Sequence, residues 1–319
     1  MNDVVFITGG AGQDGILMTE KLLSEGLTVV LLMRPKDLKN GWVPPECRKG
    51  RVVVVGVSTL TKPHSSEFSA RIAELLLRYR PFCFINFAGK SRPNYGDAAT
   101  MLDCNLGLPS KILETIQKTG LDIKFVSCGS CYEMYLAKDE EHTIDTPIAP
   151  HGLYGLSKAA CRVTCDFFRQ SGVWASHCVM FNHESKVRGR DFFSRKVSDW
   201  LKDFKKNNNT IQLGNLDSRK DWSHAKDFIG LIWSVCRQKL ARNYVFSSGE
   251  TRTPRRLLMS LAQALDIDEN DVMGRVVFDS SSGIVEPERA FVSAPSRCYE
   301  ELAFKRQYSY NELITDLVS

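Results

Sequence analysis

The sequence predicts an α/β fold: a doubly wound parallel sheet followed by a smaller C-terminal lobe. Three observations carry this. Apolar, β-branched runs alternate with helical patterns from Val4 to Asn182. The first such run, Val4–Thr8, passes straight into a glycine turn and then a helix. After Asn182 the alternation lapses into a basic, polar stretch over residues 183–221. Strand–helix alternation gives parallel strands covered by helices, with ligands at the carboxyl ends of the strands.

The elements follow in order. Gln13–Glu25 is the first helix and carries Leu17, Leu22 and Leu23. Leu27–Met33 and Val52–Val57 are the second and third strands. Ser69–Arg78 is helical, and Phe82–Phe87 is a fourth short strand. Met101–Thr119 is a helix before the fifth strand, Ile123–Ser127. Tyr154–Gln170 is a helix before the sixth, Ser176–Asn182. Phe228–Cys236 reads as a late helix and Tyr244–Ser248 as a late strand, and Leu257–Leu265 and Glu312–Leu317 as short helices. The expected division is a nucleotide-binding domain over 1–181 with about 222–248, and a substrate-binding lobe over 182–221 and 249–319.

Composition narrows the partners. The chain has 42 basic and 37 acidic residues, a net charge of +5. That is too mild for nucleic acid, but suits an anionic small molecule where basic residues converge. No apolar run is long enough to span a membrane. The N-terminus enters a strand without a signal-peptide pattern, so a cytoplasmic protein is expected. Ten cysteines in 319 residues do not make a disulfide scaffold, and most are expected in the core. Cys128-x-x-Cys131 has no second pair to complete a metal site, and no metal is expected.

The glycine turn reads Gly9-x-x-Gly12-x-x-Gly15, with Gln13 and Asp14 inside it. Glycines between a strand and a helix N-terminus let backbone N–H groups approach a pyrophosphate. A Rossmann-type dinucleotide site is expected there. Arg34 and Lys36 stand at the end of the second strand, where a cation suits a 2′-phosphate. NADP is therefore expected over NAD, although Asp37 works against it.

Tyr154-x-x-x-Lys158 is the second signal. Positions i and i+4 share a helix face, and a neighbouring ammonium stabilises a phenolate. The hydroxyl then becomes a usable acid or base. Such a pair also occurs on ordinary solvated helix faces. Downstream of the glycine turn, it points to hydride chemistry.

The combination resembles the extended short-chain dehydrogenase/reductase family. Phe181-Asn182-His183-Glu184-Ser185, Arg188-Gly189, Ser194-Arg195-Lys196 and Gly214-Asn215-Leu216-Asp217…Asp221-Trp222-Ser223-His224-Ala225 resemble segments of its GDP-mannose 4,6-dehydratase branch. That resemblance implies an NADP-dependent enzyme acting on a nucleotide-activated sugar, with a GDP-hexose as substrate. It implies Tyr154 as acid/base, Lys158 as its activator, and Ser130 as the group orienting the substrate oxygen. Ser127 and Cys128 are the competing registers for that last role. Phe87-Ala88-Gly89-Lys90-Ser91 resembles the segment flanking the cofactor, which assigns Ala88 and Lys90 to cofactor and Ser91 to substrate. Asn182 touches both ligands, and Glu184 joins the substrate set. Arg188, Lys196 and Arg219 or Lys220 have the charge to neutralise two phosphates.

Departures from the pattern bear on the reaction. A dehydratase needs a carboxylate to take the C5 proton. The family places it two residues after the catalytic hydroxyl, where this chain has Tyr132. Glu133 fills that position only after a one-residue shift. Ser127-Cys128-Gly129-Ser130-Cys131-Tyr132 also resembles 4-keto-sugar reductases, which need no such base. Val57-Ser58 stands where an adenine-contacting Asp is common, Lys220 replaces an Arg, and Glu286-Pro287-Glu288 replaces Arg-Pro-x-Glu. A GDP-4-keto-6-deoxy-sugar reductase or epimerase, and a non-catalytic nucleotide sensor, are the rival readings. The resemblance also implies a homo-oligomer, a dimer or tetramer, built on Met101–Thr119 and Tyr154–Gln170.

Overall fold

The computed structural model describes residues 3–39, 51–91, 97–134, 141–278, 292–293 and 296–319. Glu286, Pro287 and Glu288 lie outside the described residues. The chain divides into two compact units. One comprises residues 1–135, 146–180 and 229–245, the other 136–145, 181–228 and 246–319.

The first unit is built on parallel strands. β1 (Val4–Thr8), β2 (Thr28–Met33) and β3 (Val52–Gly56) run one way across the sheet. β4 (Cys83–Asn86), β5 (Lys124–Cys128), β7 (Ala175–Met180) and β11 (Tyr244–Phe246) extend it the other way, in the order β11-β7-β5-β4-β1-β2-β3. The chain direction across the sheet therefore reverses between β1 and β4. In doubly wound sheets, that switch point opens the ligand crevice at the strand ends. Thr8 and Asn86 mark those ends, and Thr8 Oγ1 donates to Asn86 Oδ1 at 2.6 Å.

Runs such as Val4-Val5, Val29-Val30 and Val52-Val53-Val54-Val55 favour extended backbone, and in β1, β2 and β4 nearly every residue is buried. Phe6, Phe84 and Phe125 form an aromatic line across three neighbouring strands, with centroids 5.7 and 6.0 Å apart. Helices α1 (Gln13–Ser24), α2 (Pro35–Lys39), α3 (Ser66–Tyr79), α4 (Ala98–Leu102) and α5 (Leu108–Thr119) connect the strands. α3 starts where the Ser65 side chain accepts the Phe68 N–H, and α5 ends at Gly120 with φ 65°. Between α4 and α5 a π turn spans Asp103–Gly107, where the sequence reads as one continuous helix. π turns recur at functional sites, and this one carries a buried Asn105. α6 (Gly152–Gln170) completes the set.

The second unit begins with the short strand β6 (Glu141–His142). β8 (Asn182–Glu184), β10 (Lys220–His224) and β12 (Thr251–Arg252) form a three-stranded sheet. β10 pairs in parallel with β8, Trp222 opposite Asn182, and this draws residues 222–228 into the second unit rather than the first. β9 (Ile211–Leu213) pairs with β13 (Val276–Phe278), and β6 with β14 (Val292–Ser293). Helices α7 (Phe193–Lys202), α9 (Pro254–Ala264), α10 (Glu269–Gly274), α11 (Ser296–Glu301) and α12 (Tyr310–Val318) accompany them. α8 (Ala225–Cys236) begins in the second unit and has most of its length in the first. Val197, Leu201, Leu257, Leu261, Leu313 and Leu317 form the core of α7, α9 and α12.

Helix α7 is absent from the sequence reading of 183–221. Its buried face is Ser194, Val197, Ser198 and Leu201. Two of those four are serines, which thin the apolar stripe that periodicity depends on.

Candidate active site

The glycine turn brings three chain segments into close contact. Gly9 has φ 73°, and a Cβ there would meet Ala88 N and Phe87 C at 2.7 Å. Gly15 has no room either, since a Cβ would sit 2.4 Å from Gly9 O. These two glycines let β1, the segment after β4, and α1 close on one another. Gly12 differs. It is exposed, it is the N-cap of α1 without a side-chain cap, and a Cβ there would meet only Gly9 O at 3.4 Å. The space over the helix N-terminus is thus left open, as a pyrophosphate requires. Gln13 and Asp14 form the first turn, with Gln13 Nε2 3.2 Å from Asp14 Oδ1.

Asn105 ties the neighbouring segment down. Its Oδ1 accepts the Lys90 N–H at 2.7 Å, and its Nδ2 donates to Lys90 O at 3.0 Å and to Ser157 Oγ at 2.9 Å. The backbone through Ala88 and Lys90 is therefore fixed against α6. Gly89 carries no Cβ because one would lie 2.8 Å from Asn105 Oδ1. Ser91 is exposed just beyond.

On α6, Lys158 lies one turn from Tyr154, with its Nζ 5.9 Å from the Tyr154 ring centroid. Nζ also donates to Cys128 O at 2.8 Å, at the carboxyl end of β5. This hydrogen bond fixes the ammonium against the strand end. α6 packs closely on the turn Cys131–Glu133. His151 N–H donates to Tyr132 O at 2.8 Å, and a Cβ at Gly155 would lie 2.2 Å from that oxygen. The Tyr132 and Tyr154 rings meet edge to face at 6.0 Å.

The three competing registers, Ser127, Cys128 and Ser130, separate here. Ser127 Oγ is 2.8 Å from His177 Nδ1 and 3.2 Å from Cys161 Sγ, fully inside the unit. Cys128 gives its carbonyl to Lys158. Ser130 N-caps the Cys131–Glu133 turn, and its Oγ accepts the Tyr132 N–H at 3.4 Å. That acceptance leaves Ser130 its O–H to donate.

Glu133 is 0% exposed. Its Oε2 accepts the Ser130 N–H at 3.3 Å and lies 3.0 Å from His177 Nε2. Its Oε1 is 3.9 Å from Arg162 Nη1. The carboxylate expected at the C5 proton is turned into the interior, and Tyr132 is the side chain beside Tyr154. Burial alone would push the His177 imidazole down, but the Glu133 carboxylate and the Cys161 thiol hold it up at about 9. Cys161, Cys165 and His177 place their sulfur and nitrogen atoms within 4.8 Å of one another. Both imidazole nitrogens there are already engaged, one by Ser127 and one by Glu133.

Arg34 is half-buried at the end of β2 and is held by Asp37 through two hydrogen bonds, at 2.7 and 2.9 Å.

In the second unit, Asn182 is half-buried at the start of β8. Glu184 accepts Ser194 Oγ at 2.5 Å and lies 3.3 Å from Arg188 Nε. The Arg188 guanidinium stacks 3.7 Å from the Phe192 ring centroid. Lys196 is exposed, with Nζ 2.6 Å from Gln212 O. Arg219 is exposed just before β10, while Lys220 is the first residue of that strand, all five of which are buried.

Asn105 and His177 were missed by sequence reasoning. An Asn inside a helical pattern was the available signal for the first. His177 sits in an apolar strand run, and only the fold reveals that Glu133 faces it.

A family model described as GDP-mannose 4,6 dehydratase matches residues 6–317. The GDP-mannose 4,6-dehydratase of Vibrio cholerae serotype O1 is 24% identical, over 99% of this chain and 92% of that relative. The Homo sapiens GDP-mannose 4,6 dehydratase is 26% identical, over 80% and 70% of the two chains. The chain spans about half of one longer relative, GDP-mannose 4,6-dehydratase sdnI of Sordaria araneosa, with 27% identity over 46% of that protein. Among solved structures, a Bacillus anthracis dTDP-glucose 4,6-dehydratase in complex with NAD aligns with a TM-score of 0.83, 16% identity, and 99% and 95% coverage. RMD from Pseudomonas aeruginosa complexed with NADPH aligns at 0.77, with 17% identity and 99% and 97% coverage. The two structures share the fold, and the match to the family model extends across the glycine turn, the Tyr154–Lys158 pair and the Asn182 and Asn215 blocks. The chain belongs to the GDP-mannose 4,6-dehydratase family.

Proposed function

We propose that this chain is a GDP-mannose 4,6-dehydratase-like enzyme that uses NADP to carry out hydride chemistry at C4 of a GDP-hexose. The observation that carries it is the Tyr154–Lys158 pair, with Lys158 fixed at 2.8 Å on Cys128 O at the ligand-binding end of the sheet. A nicotinamide dinucleotide fits the glycine turn, the clamped Ala88–Lys90 backbone and the open N-terminus of α1. Arg34 is the group for a 2′-phosphate.

When bound, the nicotinamide supplies a hydride acceptor or donor at C4. The Tyr154 oxygen takes the C4 hydroxyl proton as the C4–H bond gives up its hydride, and a C=O bond forms. Lys158 stabilises the phenolate that must precede this step. Ser130 donates its O–H to the C4 oxygen and orients it. Asn182, Glu184 and Arg188 belong to substrate recognition, and Arg188, Lys196 and Arg219 carry charge for the diphosphate. A homo-oligomer is part of the same proposal, supported by the exposed apolar residues Leu156, Val163 and Phe167 on one side of α6.

A second reading keeps the C4 chemistry without the elimination: a 4-keto-sugar reductase or epimerase. The inward Glu133 and the Tyr132 ring beside Tyr154 favour it. The test is product analysis with GDP-mannose and catalytic NADP. A 4-keto-6-deoxy product without net NADPH accumulation supports the dehydratase. NADPH consumption only with a supplied GDP-4-keto sugar supports the reductase.

A further inference from the structure

Among the described residues of the first unit Glu133 is the one buried carboxylate, and it lies beneath the turn that presents Ser130. Three observations converge on it. Glu133 and Ser130 form a reciprocal capping box: Ser130 caps the short turn, and Glu133 Oε2 accepts the Ser130 N–H at 3.3 Å. The same oxygen lies 3.0 Å from His177 Nε2, while Ser127 Oγ engages Nδ1 at 2.8 Å. Gly129 precedes Ser130, and a Cβ there would lie 2.2 Å from His177 Nε2 and 2.6 Å from Glu133 Oε2. The backbone entering Ser130 therefore rests directly on the Glu133–His177 contact.

We propose that Glu133 and His177 are a buried pair of positioning residues that fixes the Ser130 turn against β5 and β7, and that Glu133 is not the base of a C5 elimination. The proposal rests on the C4 hydride chemistry shared by both readings above and, by taking Glu133 away from C5, favours the reductase or epimerase: the substrate-facing hydroxyl is held by a carboxylate from below. A base must reach a substrate proton within hydrogen-bonding distance. Glu133 instead spends Oε2 on the Ser130 amide and the imidazole, and faces Arg162 with Oε1.

Groups on every neighbouring element bear on the charge of His177. Glu133 faces it from the turn, Cys161, Cys165 and Arg162 lie on α6, and Ser127 is on β5. The backbone of His177 is also tied, its N–H donating to Asn243 Oδ1 at 3.1 Å. The imidazolium is held up at about 9, against 6.5 ordinarily. A folded-state value raised in this way stabilises the fold fully below pH 6.5 and loses that contribution as pH rises through 9.

The test uses the full-length protein with Glu133→Gln, Glu133→Ala, His177→Gln and the Glu133→Gln/His177→Gln double variant. Hydride transfer is followed in single turnovers with GDP-mannose and NADP, and with a GDP-4-keto-6-deoxy sugar and NADPH. Solvent deuterium entering C5 is read by NMR in the same reactions. Misplacing a reacting group by a fraction of an ångström to 1 Å costs roughly 10- to 100-fold. The expected result is a loss of about that size in hydride transfer for Glu133→Ala and His177→Gln, with KM little changed. Glu133→Gln recovers part of it, because its carbonyl still accepts the Ser130 N–H. The double variant is no worse than His177→Gln, as expected for one unit. Normal hydride transfer in Glu133→Gln and Glu133→Ala, with C5 exchange abolished, overturns the proposal and makes Glu133 the base. Unchanged hydride transfer in every variant overturns it as well. If the wild type transfers hydride with no GDP-sugar, the functional reading fails, and the pair is judged on stability. A melting temperature that falls as pH rises through 9 in the wild type, but not in His177→Gln, supports the pair, and identical profiles refute it.

Discussion

Arg34 meets Asp37 through two hydrogen bonds, Nε to Oδ2 at 2.7 Å and Nη2 to Oδ1 at 2.9 Å. The cation that recommends NADP at the end of β2 therefore already has an anionic partner. On the proposed reading, a 2′-phosphate would compete with Asp37 for the guanidinium. Arg34→Ala is expected to lower the preference for NADP over NAD by about 10-fold, the cost of one charged hydrogen bond. Asp37→Ala is expected to move the preference the other way. Cofactor titrations by fluorescence on both variants check this, and an unchanged ratio in both removes Arg34 from cofactor selection.

Gly15→Ala tests the turn itself. An added methyl group would lie 2.4 Å from Gly9 O and 2.6 Å from Gly10 Cα, both backbone atoms. Neither can rotate away, so the turn must open. Dinucleotide affinity is expected to fall by at least about 10-fold, with a lower melting temperature, on the scale of overpacking a closed site. Gly12→Ala meets only one atom, at 3.4 Å, and is expected to keep the fold while weakening cofactor binding. Calorimetry with NADP separates the two outcomes.

Much of the first unit was legible because parallel strands buried on both faces read as continuous apolar runs. Val4–Thr8, Leu27–Met33 and Val52–Val57 lie within a residue or so of the observed strands. The Tyr154–Lys158 pair was legible because helix periodicity alone places i and i+4 together. The second unit resisted for two reasons. Its strands are two to five residues long, too short for alternation to stand out, and the serines on the buried face of α7 mimic a solvated surface. The inward turn of Glu133 was not legible, because His177, 3.0 Å from it, is 44 residues away in sequence. No local pattern reports which way a carboxylate turns when its partner comes from another strand.

The exposed side of α6 offers an oligomer test. Val163 is 55% and Phe167 61% exposed, large apolar surfaces with no core to serve. Val163→Glu with Phe167→Glu is expected to shift the protein to monomers, at near-normal stability, because burying a charge in an apolar interface is costly. Sedimentation velocity reads this directly. A double variant with the wild-type sedimentation coefficient excludes this face.

Asn105→Ala removes both bonds to the Lys90 backbone and the bond to Ser157. Each such bond contributes about 1 kcal/mol. A loss of about 2–3 kcal/mol in unfolding free energy by urea denaturation is expected, together with weaker cofactor binding. Full stability with normal affinity would show that the Ala88–Lys90 segment is held by other contacts.

The most direct measurement is hydride transfer by wild type and Tyr154→Phe, with GDP-mannose plus NADP and with a GDP-4-keto-6-deoxy sugar plus NADPH, followed by nicotinamide absorbance and product NMR. Tyr154→Phe keeps the ring beside Tyr132 and removes only the phenolic oxygen. The expected result is hydride transfer at C4 by the wild type with at least one of these substrates, and a loss of about 10²- to 10⁴-fold in the variant with cofactor binding retained. Equal rates for the two proteins, or no hydride transfer by the wild type with either substrate, would contradict C4 chemistry at Tyr154.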